Sequence, residues 1–298
     1  MNILVTGATG FIGNHVVKEL LKSQFNVYCL VRSSSSVGTL EKEGAKVVCR
    51  EDIDLVQFLK ENEIEGIIHL ASLFLSAHKS EDIAPLVNSN ILFGLELLEA
   101  SSKSSVKWFL NTGTFWQHYN DAAYSPVNLY AATKQAFEDL MKYYTETNQI
   151  MGVTLKLSDS YGPGDTRKKI FKLFHEMAES GSSLDMSAGE QKISINYIDD
   201  IVSAFIKLTN LLISESPLVK NGEDFNVTSS EVMSLKNIAK LFEEVCGKKL
   251  NINWGLREYR EREVMIPWTD QKVVPGWEQK FSLKEGIKEY LKGESFDS

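Results

Sequence analysis

The sequence predicts an α/β fold: a doubly wound parallel sheet with a smaller, loop-rich C-terminal lobe. Two observations support this prediction. Short apolar runs alternate with segments of helical periodicity through the first half of the chain, and a glycine-rich turn follows the first apolar run directly. Strand, helix and strand repeated in this way require right-handed crossovers, which produce a parallel sheet covered by helices on both faces.

The individual elements follow from the spacing of the apolar residues. Strands are predicted over residues 3–6, 27–31, 45–49, 66–71, 108–111 and 153–157. Helices are predicted over residues 13–22, 55–61, 90–100 and 130–144. Ligands of such sheets bind at the carboxyl ends of the strands, so residues that directly follow strands are the candidates for function.

The composition changes at residue 158. The segment SDSYGPGD is rich in turn-forming residues, and glycine and serine are frequent over residues 181–189. Clusters of turn-forming residues are typical of loops and domain boundaries. The predicted organisation is a main domain of residues 1–157, rejoined by residues 194–228, and a smaller lobe of residues 158–193 and 229–298.

Composition excludes several classes of protein. The 298 residues are 43% hydrophobic and 24% charged, which is ordinary for a globular chain. The formal net charge of −8 argues against a general role on nucleic acid or anionic membranes. No apolar run approaches the roughly 20 residues of a membrane span, and the N-terminus lacks the features of a signal peptide. We therefore expect a soluble, cytoplasmic protein.

The three cysteines, Cys29, Cys49 and Cys246, are far apart and lack the spacing of metal ligands. An odd number also fits no disulfide framework. Free thiols in a reducing compartment are the simplest interpretation. The sequence predicts no metal site.

A dinucleotide-binding turn is predicted at the start of the chain. The motif GATGFIG, with Gly7, Gly10 and Gly13, follows the first strand and opens the first helix. The turn, the close approach of a pyrophosphate and the packing of helix on strand each require a residue without Cβ. Free N–H groups and the positive helix end then bind the phosphates. We expect Thr9, Phe11 and Ile12 to line the same site.

The end of the second strand bears on which nicotinamide cofactor binds. NAD-binding sheets usually carry an acidic residue there, whereas this chain has Arg32 followed by Ser33. A guanidinium with nearby hydroxyls suits a 2′-phosphate, so NADP(H) is favoured, with NAD possible. Alternatively, Arg32 is a solvated surface residue. After the third strand, Asp52 and the adjacent Ile53 are candidates for the adenine site, although Asp52 is equally suited to capping a helix.

A catalytic group is predicted from three residues. Tyr130 and Lys134 are spaced i to i+4, so they project from one face of a helix. An ammonium close to a phenol favours the phenolate, so we expect Lys134 to lower the pKa of Tyr130 from about 10. Thr112, at the end of the preceding strand, would place a hydroxyl at the same substrate carbonyl. Such a tyrosine can exchange a proton with a sugar oxygen.

Several motifs together resemble the extended short-chain dehydrogenase/reductases, the nucleotide-sugar epimerases, dehydratases and ketoreductases. They are GATGFIG, HLAS (69–72), Asn90, Thr112, YAATK (130–134), YGPGD (161–165) and YIDD (197–200). The resemblance covers nearly the whole chain and implies a Rossmann-like fold. It implies that Thr112 hydrogen-bonds the reacting oxygen, that Tyr130 is the general acid/base and that Lys134 also holds the nicotinamide ribose.

The resemblance also implies cofactor contacts beyond the glycine turn, namely at Leu70, Ala71, Ser72 and Asn90. It further implies a homodimer formed through two helices per subunit, one of which bears Tyr130 and Lys134. The implied partner is a nucleotide-sugar substrate.

Three features narrow the reaction within this family. The 4,6-dehydratases carry an Asp-Glu pair after the catalytic threonine, whereas this chain has Gly113 and Thr114. Arg32 suits NADPH, the usual donor for a net reduction. The segments NTGTFWQ, YGPGD, REREVM (260–265) and PGWEQKFSLKEGI (275–287) resemble the CDP-abequose and CDP-paratose synthases, which are 4-ketoreductases of CDP-activated deoxyhexuloses.

Three substrate contacts are predicted. Arg260 matches the arginine that relatives place beside the nucleotide, and Thr114 follows the catalytic strand. Asp159 stands where relatives usually have asparagine, and it suits either a sugar hydroxyl or a turn cap. The predicted activity is NADPH-dependent reduction of the C4 ketone of a nucleotide-activated, CDP-linked 6-deoxyhexulose. The alternatives are an NAD-dependent nucleotide-sugar 4-epimerase and a non-catalytic NADP(H)-binding relative.

Overall fold

A computed structural model describes residues 1–147, 150–268 and 272–294. The strands are β1 Asn2–Thr6, β2 Asn26–Val31, β3 Lys46–Cys49, β4 Ile64–His69, β5 Trp108–Thr114, β6 Met151–Leu157, β7 Asp159–Tyr161, β8 Ser183–Met186, β9 Lys192–Ile193, β10 Ile195–Tyr197, β11 Asp224–Val227, β12 Met233–Ser234 and β13 Asn251–Trp254. The helices are α1 Phe11–Lys22, α2 Gly38–Lys42, α3 Leu55–Glu61, α4 Ile83–Val87, α5 Phe93–Ser102, α6 Leu129–Thr147, α7 Ile170–Ser180, α8 Ile198–Ile213, α9 Leu235–Cys246 and α10 Leu283–Glu294.

The main sheet has seven parallel strands within the described residues, in the order β11-β6-β5-β4-β1-β2-β3. The order reverses beside β1, which is the arrangement of a doubly wound, Rossmann-like sheet. The predicted fold class is therefore confirmed. The seventh strand, β11, comes from the segment after α8, so the main sheet is completed by a part of the chain that lies far from β6 in sequence.

Side chains alternate between the two faces of the sheet. Leu110 of β5 packs into a core with Val16 of α1 and Phe205 of α8. Its neighbour Phe109 packs into a second core with Phe137 of α6. Since successive residues of a strand point to opposite faces, a strand covered on both sides must be apolar throughout. This explains the continuous apolar runs in the sequence.

Strand β5 is longer than the predicted strand over residues 108–111. It pairs with β6 as far as Thr114, which is opposite Leu157, whereas β4 ends at His69 opposite Asn111. Thr112 consequently lies beyond the end of one neighbouring strand while the other neighbour still holds it. This overhang is at the carboxyl edge, where ligands of such sheets bind.

The segments predicted to form a loop-rich lobe, residues 158–193 and 229–298, contain more helix than the sequence predicted. They include α7, α9 and α10 together with short sheets that pair β8 with β13 and β9 with β12. Gly181 and Gly247 have φ of 67° and 72° and terminate α7 and α9 in the left-handed conformation. Glycines that suggested loops are therefore helix ends, where residues without Cβ are favoured.

One helical stretch, Ser80–Ser102, is long and apolar enough to meet the length and composition criteria of a membrane span. The stretch has 23 residues, and its apolar 18-residue window has a mean hydropathy of 1.2 and is 39% buried. It comprises α4, a π-helical turn over Asn88–Leu92 and α5, and its Leu97 and Leu98 lie in the second core. Since a helix that contributes to a protein core meets the same criteria, this is weak evidence for a membrane span.

Candidate active site

The glycine turn brings three backbone segments into close contact. Gly7 has φ of 70°, and a Cβ there would lie 2.6 Å from the amide nitrogen of Ala71. A Cβ at Gly13 would lie 2.1 Å from the carbonyl oxygen of Gly7. The Gly10 N–H donates to that same oxygen at 3.0 Å. Side chains at positions 7 and 13 would therefore push α1 away from the strand ends.

The N-terminus of α1 has the properties of a phosphate site. Its N-cap residue Gly10 supplies no side-chain hydrogen bond, and its first turn contains no acidic residue. Thr9 and Gly10 are exposed, while Phe11 and Ile12 are half-buried beside them. Unsatisfied N–H groups at the positive end of a helix attract an anion. The turn therefore fits the pyrophosphate of a dinucleotide cofactor.

The loop after β4 is held against this turn. Thr6 lies at its centre, because its Oγ1 accepts a hydrogen bond from the Ala71 N–H at 3.2 Å and contacts His69 Nδ1 at 2.9 Å. The Leu70 N–H donates to the Thr6 carbonyl at 3.3 Å. His69 is fully buried among aromatic rings, and burial lowers its pKa to about 3, with the charge of Lys134 acting in the same direction. His69 is therefore a neutral structural residue.

Asn90 connects the loop after β4 to α6. Its Oδ1 accepts from the Leu73 N–H at 2.7 Å, and its Nδ2 donates to the Leu73 carbonyl at 3.1 Å and to Thr133 Oγ1 at 2.9 Å. The Ser72 hydroxyl contacts the same Oδ1 at 3.3 Å. Asn90 is buried and its polar atoms are engaged within the protein, so it acts on the predicted site by fixing the positions of Ser72 and α6.

Tyr130 occupies the second position of α6, between loops that follow two different strands. Its ring packs edge-on against Phe74 with centroids 5.0 Å apart, and Ser72 and the charge of Arg167 both favour the ionised form of its phenol. Burial raises the pKa of Tyr130 to about 12, and Ser72 and Arg167 only partly oppose this. The prediction that Lys134 makes this phenol acidic is wrong for the ligand-free protein, because desolvation outweighs the nearby charges.

Lys134 and Thr112 present polar groups that lack partners. The Lys134 side chain is 2% exposed, and within the described ranges no group accepts a hydrogen bond from its ammonium. Burial lowers the pKa of Lys134 to about 8, with the charge of Glu138 acting in the opposite direction. Thr112 Oγ1 is buried and also has no hydrogen-bond partner among the described residues. Such groups are costly unless a ligand satisfies them, which fits a cofactor ribose and a substrate oxygen.

The end of β2 carries opposite charges. Arg32 is exposed, and the Ser33 N–H donates at 3.1 Å to the carboxylate of Glu51, which also accepts from Cys49 Sγ at 3.0 Å. The hydrogen bond from Cys49 is the largest influence that lowers the pKa of Glu51, so Glu51 is an anion. The position predicted to bind a 2′-phosphate therefore has a guanidinium on one side and a carboxylate on the other. Sequence reasoning did not identify this carboxylate.

Asp52 lies in a 3₁₀ turn, Arg50–Asp52, and its side chain is exposed. The following helix is capped by Asp54, whose Oδ1 accepts from the Gln57 N–H at 2.8 Å. The capping role considered for Asp52 is therefore filled by its neighbour. Ile53 is half-buried and packs against the second core.

The segment after Thr112 has little freedom. A Cβ at Gly113 would lie 2.7 Å from Lys156 Cγ and 2.8 Å from Glu138 Oε1. The Thr114 hydroxyl accepts from the Trp116 N–H at 3.3 Å and caps a 3₁₀ turn. Position 113 therefore has no room for a carboxylate side chain.

The predicted substrate residues differ in their surroundings. Asp159 forms an ion pair with Lys169 at 3.0 Å, which satisfies its charge within the protein. Arg260 is exposed. Nearby, the Arg262 guanidinium lies 4.2 Å from the centroid of the Tyr119 ring and donates to Ser125 Oγ at 2.7 Å.

Arg167 is a further basic residue at the site. Two of its nitrogens donate to the buried carboxylate of Asp165, each at 2.7 Å, and its guanidinium lies 4.8 Å from the centroid of the Phe11 ring. It therefore connects the loop after β7 to the start of α1.

Among residues 1–147, 150–268 and 272–294, no group of three or more His, Cys, Asp or Glu side chains is arranged to hold a metal ion.

The chain is similar to known proteins over most of its length. Residues 3–227 match the NAD dependent epimerase/dehydratase family. The CDP-abequose synthase of Salmonella typhimurium is 27% identical, covering 97% of each chain, and that of Yersinia pseudotuberculosis is 28% identical, covering 98% of each.

Solved structures show the same fold. The UDP-glucuronic acid 4-epimerase from Bacillus cereus, in complex with UDP-glucuronic acid and NAD, has a TM-score of 0.86 at 24% identity and covers 99% of this chain and 100% of its own. The UDP-glucose 4-epimerase from Thermotoga maritima, with UDP-glucose, has a TM-score of 0.87 at 24% identity and covers 100% of this chain and 99% of its own.

Proposed function

The chain belongs to the NAD dependent epimerase/dehydratase family, and from this premise we propose that it reduces the C4 ketone of a nucleotide-activated 6-deoxyhexulose, using NADPH. It is a short-chain dehydrogenase/reductase-type enzyme acting on a nucleotide sugar. Full-length similarity to CDP-abequose synthases supports the reductive direction and a CDP-linked substrate.

The full-length similarity to two CDP-abequose synthases is the observation that carries this proposal. A reduction needs a proton donor at the carbonyl oxygen, whereas an epimerisation must begin with a base that removes a hydroxyl proton. Burial raises the pKa of the Tyr130 phenol to about 12, which favours its protonated form. Tyr130 therefore suits the role of proton donor.

The residues have distinct tasks in this reaction. When bound, the reduced nicotinamide supplies the hydride to the carbonyl carbon. The unpartnered Thr112 hydroxyl donates a hydrogen bond to the carbonyl oxygen, which stabilises the charge that develops there. Tyr130 transfers its phenolic proton to that oxygen and recovers a proton from solvent afterwards. The buried ammonium of Lys134 would donate to the hydroxyls of the nicotinamide ribose.

The space around Gly113 argues against dehydration. The family's 4,6-dehydratases carry an acidic residue at this position, but here a Cβ would already lie within 2.9 Å of three side chains. An aspartate at 113 would require the buried Lys156 and Glu138 to move. The packing of α6 on β5 and β6 therefore leaves no space for an acidic side chain at position 113.

The preference for NADPH rests on Arg32, whose exposed guanidinium follows β2. Glu51 opposes this preference, because an anion beside Ser33 repels a 2′-phosphate and can accept a hydrogen bond from a 2′-hydroxyl. Several structural neighbours are complexes with NAD. We propose that both cofactors are used and that Arg32 makes NADPH the better donor.

The nucleotide diphosphate requires donors on the smaller lobe. We propose Arg260 as its main ligand, as the sequence suggests, with Arg262 held nearby by Tyr119 and Ser125. Arginine suits this task because its planar guanidinium pairs with phosphate oxygens in a bidentate manner.

The test uses NADPH with deuterium at both C4 positions of the nicotinamide, together with a CDP- or dTDP-4-keto-6-deoxyhexose. We expect stoichiometric loss of absorbance at 340 nm and a product that contains one deuterium per sugar. No reduction of the ketone, together with inversion at C4 of a nucleotide sugar that carries a C4 hydroxyl and no net absorbance change, would instead identify a 4-epimerase. Tight cofactor binding without turnover of any sugar in a panel would identify a non-catalytic relative.

A dimer is the second part of the proposal. Ile83, Val87 and Leu92, on the stretch Ser80–Ser102, and Leu140 and Tyr143 of α6 are large apolar side chains that are at least 40% exposed. Neighbouring exposed apolar side chains of this size are typical of protein interfaces. We propose that two copies pair through these helices, as the family resemblance implies.

The oligomeric state can be measured by light scattering after size exclusion. Leu92→Glu is expected to convert the dimer to a monomer, because it places a charge at the centre of the proposed interface. Leu218 is 62% exposed but lies outside these helices, so Leu218→Glu is the matched control and should leave the dimer intact. A wild-type monomer at micromolar concentration would contradict the proposal.

A further inference from the structure

A series of alternating charges runs from Lys134 to the surface. Glu138 lies one helical turn after Lys134 on α6, and its Oε2 is 3.4 Å from Nζ of Lys156 on β6. Lys156 Nζ is in turn 2.6 Å from Oδ2 of Asp224 on β11. The side chains of Glu138 and Lys156 are 8% and 4% exposed, whereas that of Asp224 is 42% exposed. The series therefore begins in the interior and ends in solvent.

Glu138 has features that packing does not explain. Its Oε1 is buried and has no hydrogen-bond partner among the described residues. The room for this oxygen depends on Gly113, because a Cβ there would lie 2.8 Å from it. A buried carboxylate oxygen without a partner costs free energy. The ammonium of Lys134 likewise lacks an acceptor among the described residues, and Lys134 lies one turn before Glu138 on the same face of α6.

We propose that Glu138 is a positioning residue that keeps the buried Lys134 ammonium protonated, and that Lys156 and Asp224 connect its carboxylate to solvent. The inference rests on the role given to Lys134 in the proposed function. It assigns a purpose to a buried acid that takes no direct part in the reduction.

The electrostatics agree with this geometry. Burial lowers the pKa of Lys134 to about 8, and Glu138 is the charge that opposes this. Burial raises the pKa of Glu138 to about 7, Lys156 opposes that change and Asp224 adds to it. Burial alone would lower the pKa of Lys156. The carboxylates of Glu138 and Asp224 have the larger effect, so the pKa of Lys156 is raised. Protonation of Glu138 near neutral pH therefore changes the charge that Lys134 experiences.

Other groups that face this series are neutral near pH 7. His69 lies near Lys134, and its pKa of about 3 leaves it uncharged. His118 lies near Lys156 and Asp224, and burial lowers its pKa. Gln117, which also acts on the pKa of Glu138, carries no charge. The Trp268 ring, with its centroid 5.5 Å from Lys156 Nζ, covers the series on the side of the smaller lobe.

The experiment measures the pKa of Lys134 directly, by NMR of lysine ¹³Cε and ¹⁵Nζ in the ligand-free protein, with the signal assigned through its loss in Lys134→Met. Glu138→Gln is expected to lower this pKa by about one pH unit, a tenfold loss of proton affinity. Glu138→Asp should restore most of the affinity. The same pKa in Glu138→Gln as in wild type would overturn the proposal. Glu146→Gln, an exposed substitution on the same helix, is the matched control.

A second measurement does not depend on any variant remaining folded. In the wild-type protein, the Lys134 signal should show a second inflection near pH 7, where Glu138 takes up its proton. A single inflection would overturn the proposal. Because neither sugar nor cofactor is present, failure here would leave the proposed reductase activity untouched, and failure of the reductase assay would leave this result intact.

Discussion

Replacing Lys134 with methionine should make the protein more stable and less active. Burial lowers the pKa of this ammonium from 10.5 to about 8, so the folded state binds its proton more weakly than the unfolded chain does. A difference of one pH unit between the two pKa values corresponds to about 1.4 kcal/mol. The buried ammonium therefore lowers the free energy of unfolding by about 3 kcal/mol at pH 7. Lys134→Met removes this cost with a side chain of similar length.

The pH dependence of this gain follows from the direction of the shift. Below about pH 8 the ammonium is charged in both states, and the full penalty applies. Between pH 8 and 10.5 the unfolded chain binds more protons, so wild-type stability rises with pH and the advantage of Lys134→Met declines. By pH 10 the difference should be about 1 kcal/mol or less.

Urea unfolding at pH 7, 8.5 and 10 measures this difference. When the slope m is the same for both proteins, the shift in the urea midpoint gives the difference in the free energy of unfolding. Lys142→Met is the matched control, because Lys142 is on the same helix with a side chain that is 69% exposed, and it should change stability little. Equal or lower stability of Lys134→Met at pH 7 would refute the reasoning, since it would show that the buried ammonium is well satisfied. Turnover should be lost in this variant whatever its stability.

Three other predictions concern the cofactor and the proton donor. Tyr130→Phe should lower kcat about 10²- to 10⁴-fold with cofactor affinity unchanged by fluorescence titration, and normal turnover would contradict its role as the acid. Arg32→Ala should lower the ratio of kcat/KM for NADPH to that for NADH, and Glu51→Gln should raise it. If both substitutions shift the ratio in the same direction, Arg32 and Glu51 do not have the opposite effects on cofactor choice that we propose. Gly13→Ala should lower the free energy of unfolding by about 1–3 kcal/mol and weaken cofactor binding, because its Cβ would lie 2.1 Å from a backbone oxygen. Gly38→Ala is the control: a Cβ at Gly38 would have no atom within 4 Å, so this substitution should change neither property.

Local sequence signals predicted the parallel sheet well. Its first six strands, the glycine turn and the helix carrying Tyr130 and Lys134 follow from periodicity and motif spacing, because each depends on neighbours in the chain. Helices α7 and α9 were not predicted, because the glycines that end them, Gly181 and Gly247, suggest loops when only the sequence is known.

The electrostatics of the site were not predictable in the same way. The pKa of Tyr130 depends on how much protein surrounds it, and burial reverses the direction expected from Lys134 alone. The contact between Glu138 and Lys156 joins a helix to a strand, and Glu51 reaches Ser33 across two strand ends. Such pairs arise from tertiary packing, which spacing along the chain does not encode.

The return of the chain to the main sheet affects how the protein is made. Strand β11 pairs in parallel with β6, yet 66 residues separate the end of β6 at Leu157 from the start of β11 at Asp224. While β11 is still inside the ribosome, β6 is an uncovered edge with unpaired backbone groups, which is a template for association with other chains. Synthesis must therefore proceed through most of the polypeptide before the nascent sheet is protected, and the exposed interval is set by the length of the inserted segment.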